Sequence, residues 1–141
     1  MMHCFLGMEV WQSVDRIFLG QGKYAMEVLK RLRMMECKEM ATPMASKMKL
    51  LCDASSEVVD ATMYRQMIGS LTYLMNTRPD IYVAVNTLIQ FLMDSRHIHL
   101  IATKDILRYL KGTMDYGLKY DANQKINLHG YVDLDWVRER D

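Results

Sequence analysis

Apolar side chains recur with a helical period of 3.6 residues through the second half of the chain. A first helix is predicted to begin after Asp60, whose carboxylate can accept hydrogen bonds from amides of the first turn. Its apolar face is formed by Tyr64, Met67, Ile68, Leu71, Leu74 and Met75. A second helix should begin at Pro79 and run to about Met93. It is apolar nearly all round, so we expect it to be the central, most buried element. A third helix should extend from a cap at 94–95 to a stop at Gly112.

The first part of the chain shows shorter patterns. Residues 4–11 and 16–19 are rich in apolar and aromatic side chains and predict two strands joined by a polar turn. Residues 23–35 carry apolar side chains at helical spacing and predict an amphipathic helix. The following stretch, 36–59, has no sustained period, so it predicts a long surface excursion or linker.

The end of the chain predicts two more strands, at 116–120 and 126–132. The expected fold class is therefore α+β and mainly helical, with an N-terminal β-hairpin plus helix, a three-helix bundle and a C-terminal strand pair. The corresponding segments are 1–44 for the hairpin and helix, 45–59 for the linker, 60–114 for the helices and 115–141 for the terminal strands.

Composition narrows the class of protein. The 141 residues suffice for one domain, and 50% hydrophobic with 25% charged residues is typical of a globular chain. The net charge of +1 argues against a small, highly basic nucleic-acid coat. The three cysteines form no Cys-x-x-Cys pair, so neither a disulfide framework nor a zinc site is indicated. No membrane-spanning stretch and no signal peptide is recognisable, so we expect a cytoplasmic or nuclear protein. The fourteen methionines predict a softer interior than a Leu/Ile core.

Two charged groups are candidates for chemistry. Lys104, Arg108 and Lys111 are spaced to form one basic stripe on the third predicted helix, where they could contact phosphates. An ordinary solvated helix face is the more common explanation of such a stripe. Asp133 and Asp135 would share one face of a strand and could hold Mg²⁺, although a solvated strand end is again more common. The sequence contains no nucleophile elbow, phosphate-binding glycine loop or His-Glu-x-x-His motif.

A series of short motifs resembles the Pol polyprotein of copia-type LTR retrotransposons. The motifs occur in family order and with family spacing over nearly the whole chain. They are Phe5-Leu6-Gly7-Met8-Glu9-Val10, Lys23-Tyr24-Ala25, Thr42-Pro43-Met44, Tyr64-Arg65-Gln66-Met67-Ile68-Gly69-Ser70-Leu71-Thr72-Tyr73-Leu74, Thr77-Arg78-Pro79-Asp80-Ile81, Ile106-Leu107-Arg108-Tyr109-Leu110-Lys111-Gly112-Thr113 and Gly130-Tyr131-Val132-Asp133-Leu134-Asp135-Trp136.

The resemblance implies a fragment of a larger polymerase. By this comparison, 1–44 is the end of the palm with a primer-grip-like hairpin, 60–114 is thumb-like, and 115–141 is the connection and first strand of an incomplete RNase H domain. The family's partners are an RNA/DNA template-primer and the remaining polyprotein segments, without a membrane, and its cofactor is Mg²⁺. The resemblance assigns a primer-placing role to Glu9 and the first RNase H metal carboxylate to Asp133. The nucleic-acid-binding face would be Lys104, Arg108 and Lys111.

The resemblance also implies that the chain alone is inactive, because two-metal phosphoryl transfer needs carboxylates from several strands and no Tyr-x-Asp-Asp motif is present. No Mg²⁺ is expected to bind tightly to the fragment. Two alternatives stay open. One is a non-catalytic nucleic-acid-binding remnant with a steep salt dependence. The other is a pseudogene product that exposes Trp11, Phe18 and Trp136 and aggregates. Departures from the family pattern, including Glu39, Leu100 and Val137-Arg138, favour a decayed element.

Overall fold

The computed structural model describes residues 2–44, 50 and 57–122. It confirms a mixed α+β fold, with four antiparallel strands and four α-helices in the described part. The elements in chain order are β1 (Met2–Phe5), β2 (Met8–Gln12), β3 (Arg16–Gly20), α1 (Gly22–Arg31), α2 (Ala61–Leu74), a 3₁₀ turn (Pro79–Ile81), α3 (Tyr82–Ile89), α4 (His97–Gly112) and β4 (Gly117–Asp121).

The first predicted strand, 4–11, is in fact a hairpin. Phe5 of β1 pairs with Met8 of β2, so the loop consists of Leu6 and Gly7 alone. Both residues have positive φ, 49° and 72°. A two-residue hairpin turn of this kind requires positive φ at both positions, and the glycine supplies one of them without steric cost. The continuous apolar run concealed this turn.

The last described strand lies in the same sheet as the first three. The strand order is β1-β2-β3-β4, and β4 pairs antiparallel with β3, from Arg16 opposite Asp121 to Gly20 opposite Gly117. The predicted strand at 116–120 therefore lies in the sheet of the first three strands, with β3 as its partner. The second predicted strand, 126–132, lies outside the described residues. A side chain at Gly117 would place its Cβ 2.2 Å from the Leu19 carbonyl oxygen, so this pairing requires glycine.

Local signals set the start of α2 and the start of the next helical segment as predicted, but the 3₁₀ turn that opens the second segment was not predicted. The Asp60 carboxylate accepts a hydrogen bond from the Thr62 amide at 2.8 Å, and Pro79 opens the 3₁₀ turn that leads into α3. Helix α3 ends at Ile89, earlier than the predicted end near Met93. Helix α1 also ends early, at Arg31, because Arg33 takes a left-handed conformation with φ 55°.

Both α2 and α4 pack against all three other helices, and the prediction that α3 is the central, most buried element was wrong. Tyr82 and Val83 of α3 are 54% and 76% exposed, whereas α4 packs against α1, α2 and α3. Because α1 also packs against α2, the helical layer holds four helices, and a bundle of three does not describe it. Helix α4 begins after Arg96, whose amide donates to His99 Nδ1 at 3.0 Å, so the predicted 94–95 cap lies slightly too early.

Among the described residues, the buried apolar core comes from the helices, the 3₁₀ turn and Leu50, without a contribution from the strands. It consists mainly of leucine, isoleucine, valine and alanine, and Met67 is the one methionine among these buried residues. Partly buried methionines pack against this core, and the softer interior expected from the methionine content stays a prediction. In the part of the chain that the structure describes, no helix has the length and hydropathy needed to cross a membrane.

Candidate functional site

A buried arginine links the segment after α2 to the end of α4. Arg78 precedes the 3₁₀ turn, and its side chain is only 3% exposed. Its Nε and Nη2 donate to the two carboxylate oxygens of Asp80 at 2.9 and 2.7 Å. The remaining donors reach Thr113 after α4, with Nη1 to the carbonyl at 2.8 Å and Nη2 to Oγ1 at 2.6 Å. A single guanidinium thus joins the 3₁₀ turn to the end of α4, using the fork geometry that lysine lacks.

Two tyrosines complete this network. The Tyr109 hydroxyl donates to Asp80 Oδ2 at 2.8 Å. The guanidinium carbon of Arg78 lies 5.6 Å from the centre of the Tyr109 ring and 5.4 Å from that of Tyr116, both within cation–π range. We call Arg78, Asp80, Tyr109, Thr113 and Tyr116 the arginine cluster.

The arginine cluster perturbs the acidity of its members. Burial alone would raise the pKa of Asp80, but the hydrogen bonds from Arg78 and Tyr109 outweigh it and hold that pKa below its ordinary value. Burial, followed by the hydrogen bond to Asp80, raises the pKa of Tyr109. Asp80 is therefore ionised and Tyr109 neutral at physiological pH, an arrangement suited to holding segments together.

The cluster also connects the helices to the sheet. Thr77, directly before Arg78, donates from Oγ1 to Gln21 Oε1 at 2.8 Å. Gln21 is 2% exposed and lies between β3 and α1. The sequence motifs around Thr77, Tyr109 and Thr113, far apart along the chain, therefore meet in one contact network.

Beside the arginine cluster lies a cleft of about 480 Å³, which we call the aromatic cleft. Trp11 of β2 and Phe18 of β3 are cross-strand partners whose ring centres are 5.3 Å apart with a 55° tilt. Tyr116 of the arginine cluster contributes a third ring. The complete lining is Glu9, Trp11, Phe18, Gly20, Gly22, Lys23, Met26, Met114, Asp115 and Tyr116.

Glu9 is the buried charge of the aromatic cleft. It is 6% exposed, and its Oε2 accepts the Lys23 amide at 3.1 Å in the first turn of α1. Its Oε1 lies 3.4 Å from Lys23 Nζ, which is itself largely exposed. A carboxylate at the positive end of the α1 dipole is favourably placed, so Glu9 joins β2 to the helix.

The tip of the β1–β2 hairpin reaches the helical layer. Phe5 and Leu6 are 66% and 71% exposed, while the Tyr73 hydroxyl of α2 donates to the Leu6 carbonyl. A Cβ added at Gly7 would lie 2.7 Å from that hydroxyl oxygen. The tip therefore presents two apolar side chains on a backbone that α2 holds in place.

Two of the three residues of the predicted basic stripe are hydrogen-bonded to the segment 37–39, which follows α1. Arg108 Nε donates to the Lys38 carbonyl at 2.7 Å, and Lys111 Nζ donates to the Cys37 carbonyl at 2.8 Å. Arg108 also pairs with Asp105 at 3.1 Å. Lys104 is exposed, with no ion pair to any described residue. The stripe thus brings three basic residues together on α4, but two of them bind the 37–39 segment.

The remaining predicted positions concern metal and the apolar surface. Asp133, Asp135 and Trp136 lie outside the described residues. Within 2–44, 50 and 57–122, no group of three or more His, Cys, Asp or Glu side chains is arranged to hold a metal ion. Trp11 is 38% exposed and Phe18 is half-buried, both in the aromatic cleft.

Comparison with known proteins gives the family. The chain is 41% identical to the retrovirus-related Pol polyprotein from transposon RE1 of Arabidopsis thaliana over 140 residues, 99% of its own length. The chain is similar over nearly its whole length to Pol polyproteins from copia-type transposons. The Pol polyprotein from transposon TNT 1-94 of Nicotiana tabacum is 36% identical over 145 aligned residues, 96% of this chain. The chain spans about a tenth of these relatives, 10% and 11% of their lengths.

A shorter protein is similar to nearly the whole chain. An uncharacterized mitochondrial protein of Arabidopsis thaliana is 36% identical over 136 residues, which is 96% of this chain and 56% of that protein. No protein-family model matches the chain, and no solved structure matches it significantly. The family resemblance inferred from the motifs is thereby confirmed.

The sequence analysis did not predict that the residues of the arginine cluster would contact one another. Arg78, Asp80 and Tyr109 were recognised as parts of family motifs, but no role was assigned to them. The available signal was a basic and an acidic residue on either side of Pro79, close enough to pair locally. The partners at Thr113 and Tyr116 had no such signal, because they follow a separate helix.

Proposed function

We propose that this chain is the part of a copia-type reverse transcriptase that follows the catalytic palm, and that it works in RNA-directed DNA synthesis by holding the template-primer. The alignment with Pol polyproteins over 96–99% of the chain carries this proposal. The β1–β2 hairpin would serve as the primer-gripping element, because its exposed tip is held against α2 through Tyr73.

The helical layer would act as the thumb, with α4 facing the nucleic-acid backbone. Lys104 has no ion pair with any described residue and can contact a phosphate, whereas Arg108 and Lys111 first have to release the carbonyl groups of Lys38 and Cys37. The salt dependence of binding distinguishes these cases, since its slope is about −0.9 for each phosphate contact to duplex DNA. A slope near −1 indicates Lys104 alone, and a slope near −3 indicates the whole stripe.

Mg²⁺ would be bound elsewhere in this proposal. By the family pattern, Asp133 contributes to an RNase H site, and the polymerase carboxylates belong to the preceding palm. When bound, the metal ions would stabilise the attacking and leaving oxygens of phosphoryl transfer. The described residues would supply position, with Glu9 holding β2 on α1 and the arginine cluster holding the 3₁₀ turn on α4.

Exchange into a working polymerase tests the proposal. This chain replaces the aligned segment in an active Pol polyprotein of the RE1 type, and primer extension on an RNA template is measured. We expect the chimera to extend the primer and the isolated chain to extend none. A folded chimera that binds template-primer without extending it contradicts the proposal, as does extension by the isolated chain.

A matched glycine pair locates the effect at the hairpin. Gly7→Ala strains a left-handed backbone and pushes against Tyr73, so it should reduce extension by the chimera. Gly69→Ala on the exposed side of α2 has nothing within 4 Å of the new Cβ and should leave extension unchanged. Equal activity of the two variants contradicts a primer-gripping role for this hairpin.

A further inference from the structure

The aromatic cleft has the size and lining of a small-molecule site. Its volume, about 480 Å³, lies within the range of roughly 300–1,000 Å³ typical of ligand pockets. Trp11, Phe18 and Tyr116 provide flat apolar surfaces, and charged groups stand at one side. Aromatic rings beside a few fixed polar groups are the usual means by which proteins hold unpaired bases.

Two glycines keep the space open. A Cβ at Gly20 would lie 3.1 Å from the Phe18 ring and 3.3 Å from the Trp11 ring. A Cβ at Gly22 would lie 2.9 Å from the Met114 carbonyl oxygen. Any side chain at these two positions would enter the cleft or displace its walls. The cleft therefore stays open only because both residues are glycine.

The third ring, that of Tyr116, is fixed by contacts with the arginine cluster. The guanidinium carbon of Arg78 lies 5.4 Å from the centre of the Tyr116 ring. The Tyr116 amide also donates to the Thr113 carbonyl at 3.1 Å. Tyr116 is 53% exposed, so one side remains available although the ring is attached to the arginine cluster. A ring held in this way loses little conformational entropy when a ligand stacks on it.

The polar groups favour a particular kind of base. Glu9 Oε2 accepts one hydrogen bond, from the Lys23 amide. Since a carboxylate has about four acceptor sites, Glu9 can also accept a hydrogen bond from an exocyclic amino group. Lys23 Nζ, 64% exposed by side chain and next to Glu9, can reach a phosphate outside the cleft. This charge pattern suits an amino-bearing base with its phosphate towards Lys23.

We propose that the aromatic cleft binds one unpaired nucleobase that carries an exocyclic amino group, such as adenine, by stacking on Trp11 and Phe18. This inference rests on the proposed function and adds a second contact to the one at the hairpin tip. An unpaired base held here would fix the position of a strand end relative to α1.

Fluorescence of Trp11 tests the site directly. The full chain with Trp136→Phe retains Trp11 as its one tryptophan, and it is titrated with single-stranded oligo(dA) and oligo(dT) of equal length. We expect saturable quenching, with oligo(dA) binding about tenfold more tightly. Gly20→Ala should weaken oligo(dA) binding about tenfold or more, because stacking on aromatic rings is worth about 1–3 kcal/mol per base. Gly69→Ala is the matched control and should bind normally.

A second variant covers the case in which Gly20→Ala does not fold. Trp11→Leu keeps an apolar side chain on β2, and its binding of labelled oligo(dA) is followed by anisotropy. A folded Trp11→Leu or Gly20→Ala chain with unchanged affinity overturns the proposal. So does quenching by a hydrophobic dye without quenching by either oligonucleotide, which identifies the cleft as an uncovered apolar surface.

The result is independent of primer extension. Quenching by oligo(dA) combined with an inactive chimera means that the base site exists and the proposed function fails. An active chimera combined with no quenching means that the cleft proposal fails and the proposed function stands.

Discussion

Replacing Arg78 by methionine should destabilise this protein more than any surface substitution, because the Arg78 side chain is buried and each of its three nitrogens donates a hydrogen bond. Methionine keeps most of the length of the side chain but removes every hydrogen bond to Asp80 and Thr113. Removing one partner of a buried ion pair costs about 3–5 kcal/mol. Asp80 retains 31% exposure and is partly rescued by water, so the low end, about 3 kcal/mol, is expected.

Urea denaturation at pH 7, followed by circular dichroism at 222 nm, measures this loss in the free energy of unfolding. The matched control is Arg16→Met, which removes an exposed arginine 3.2 Å from Asp121. Such a surface pair contributes about 0–1 kcal/mol. If Arg78→Met costs less than about 1 kcal/mol, or no more than Arg16→Met, then the cluster is not the support described above.

The pH dependence gives a second check on the same variant. A carboxyl whose pKa is lowered by folding, as for Asp80, stabilises the native state above its unfolded pKa of about 3.9 and loses this contribution as the pH falls through the folded value. Protonation also removes the charge that Arg78→Met leaves unpaired. The difference between the two proteins should therefore shrink below about pH 4. A difference that is constant from pH 7 to pH 3 contradicts the assignment.

Three further substitutions test other parts of the fold. Gly69→Ala should raise the free energy of unfolding by about 0.5–1 kcal/mol in urea denaturation, because the position is helical and open, and destabilisation would mean a contact that the structure does not show. Tyr109→Phe should cost about 1.5 kcal/mol at pH 7 through its bond to Asp80. Since folding raises the pKa of Tyr109, wild-type stability should fall above about pH 10, and in a pH series the variant should fall less steeply. His99→Ala should lower the free energy of unfolding by about 3 kcal/mol, because the buried ring is hydrogen-bonded through Nε2 to the Leu50 carbonyl at 3.0 Å and stacks on Phe91. Thermal unfolding measures this loss, and a value under about 1 kcal/mol would contradict a structural role.

The sequence by itself determined the local structure of this protein. Asp60, Pro79 and the apolar face of α2 act on neighbours within about one turn, so capping and period were enough to predict that α2 begins after Asp60 and that a helical segment begins at Pro79. The ordered motifs likewise identified the family without any structure. Where local signals competed, prediction failed, as at Leu6-Gly7, where a two-residue turn lies inside an apolar run.

The tertiary structure alone decided how distant segments meet. Three contacts join positions that are far apart along the chain. They are the pairing of β4 with β3, the hydrogen bonds from Arg78 to Thr113, and the bonds from Arg108 and Lys111 to the segment 37–39. Neither periodicity nor charge spacing contains this information, because each describes only residues on one element. The aromatic cleft depends on the same long-range packing. The rings of Trp11 and Phe18 are neighbours through the pairing of β2 with β3, and Tyr116, in the turn before β4, joins them only when β4 pairs with β3.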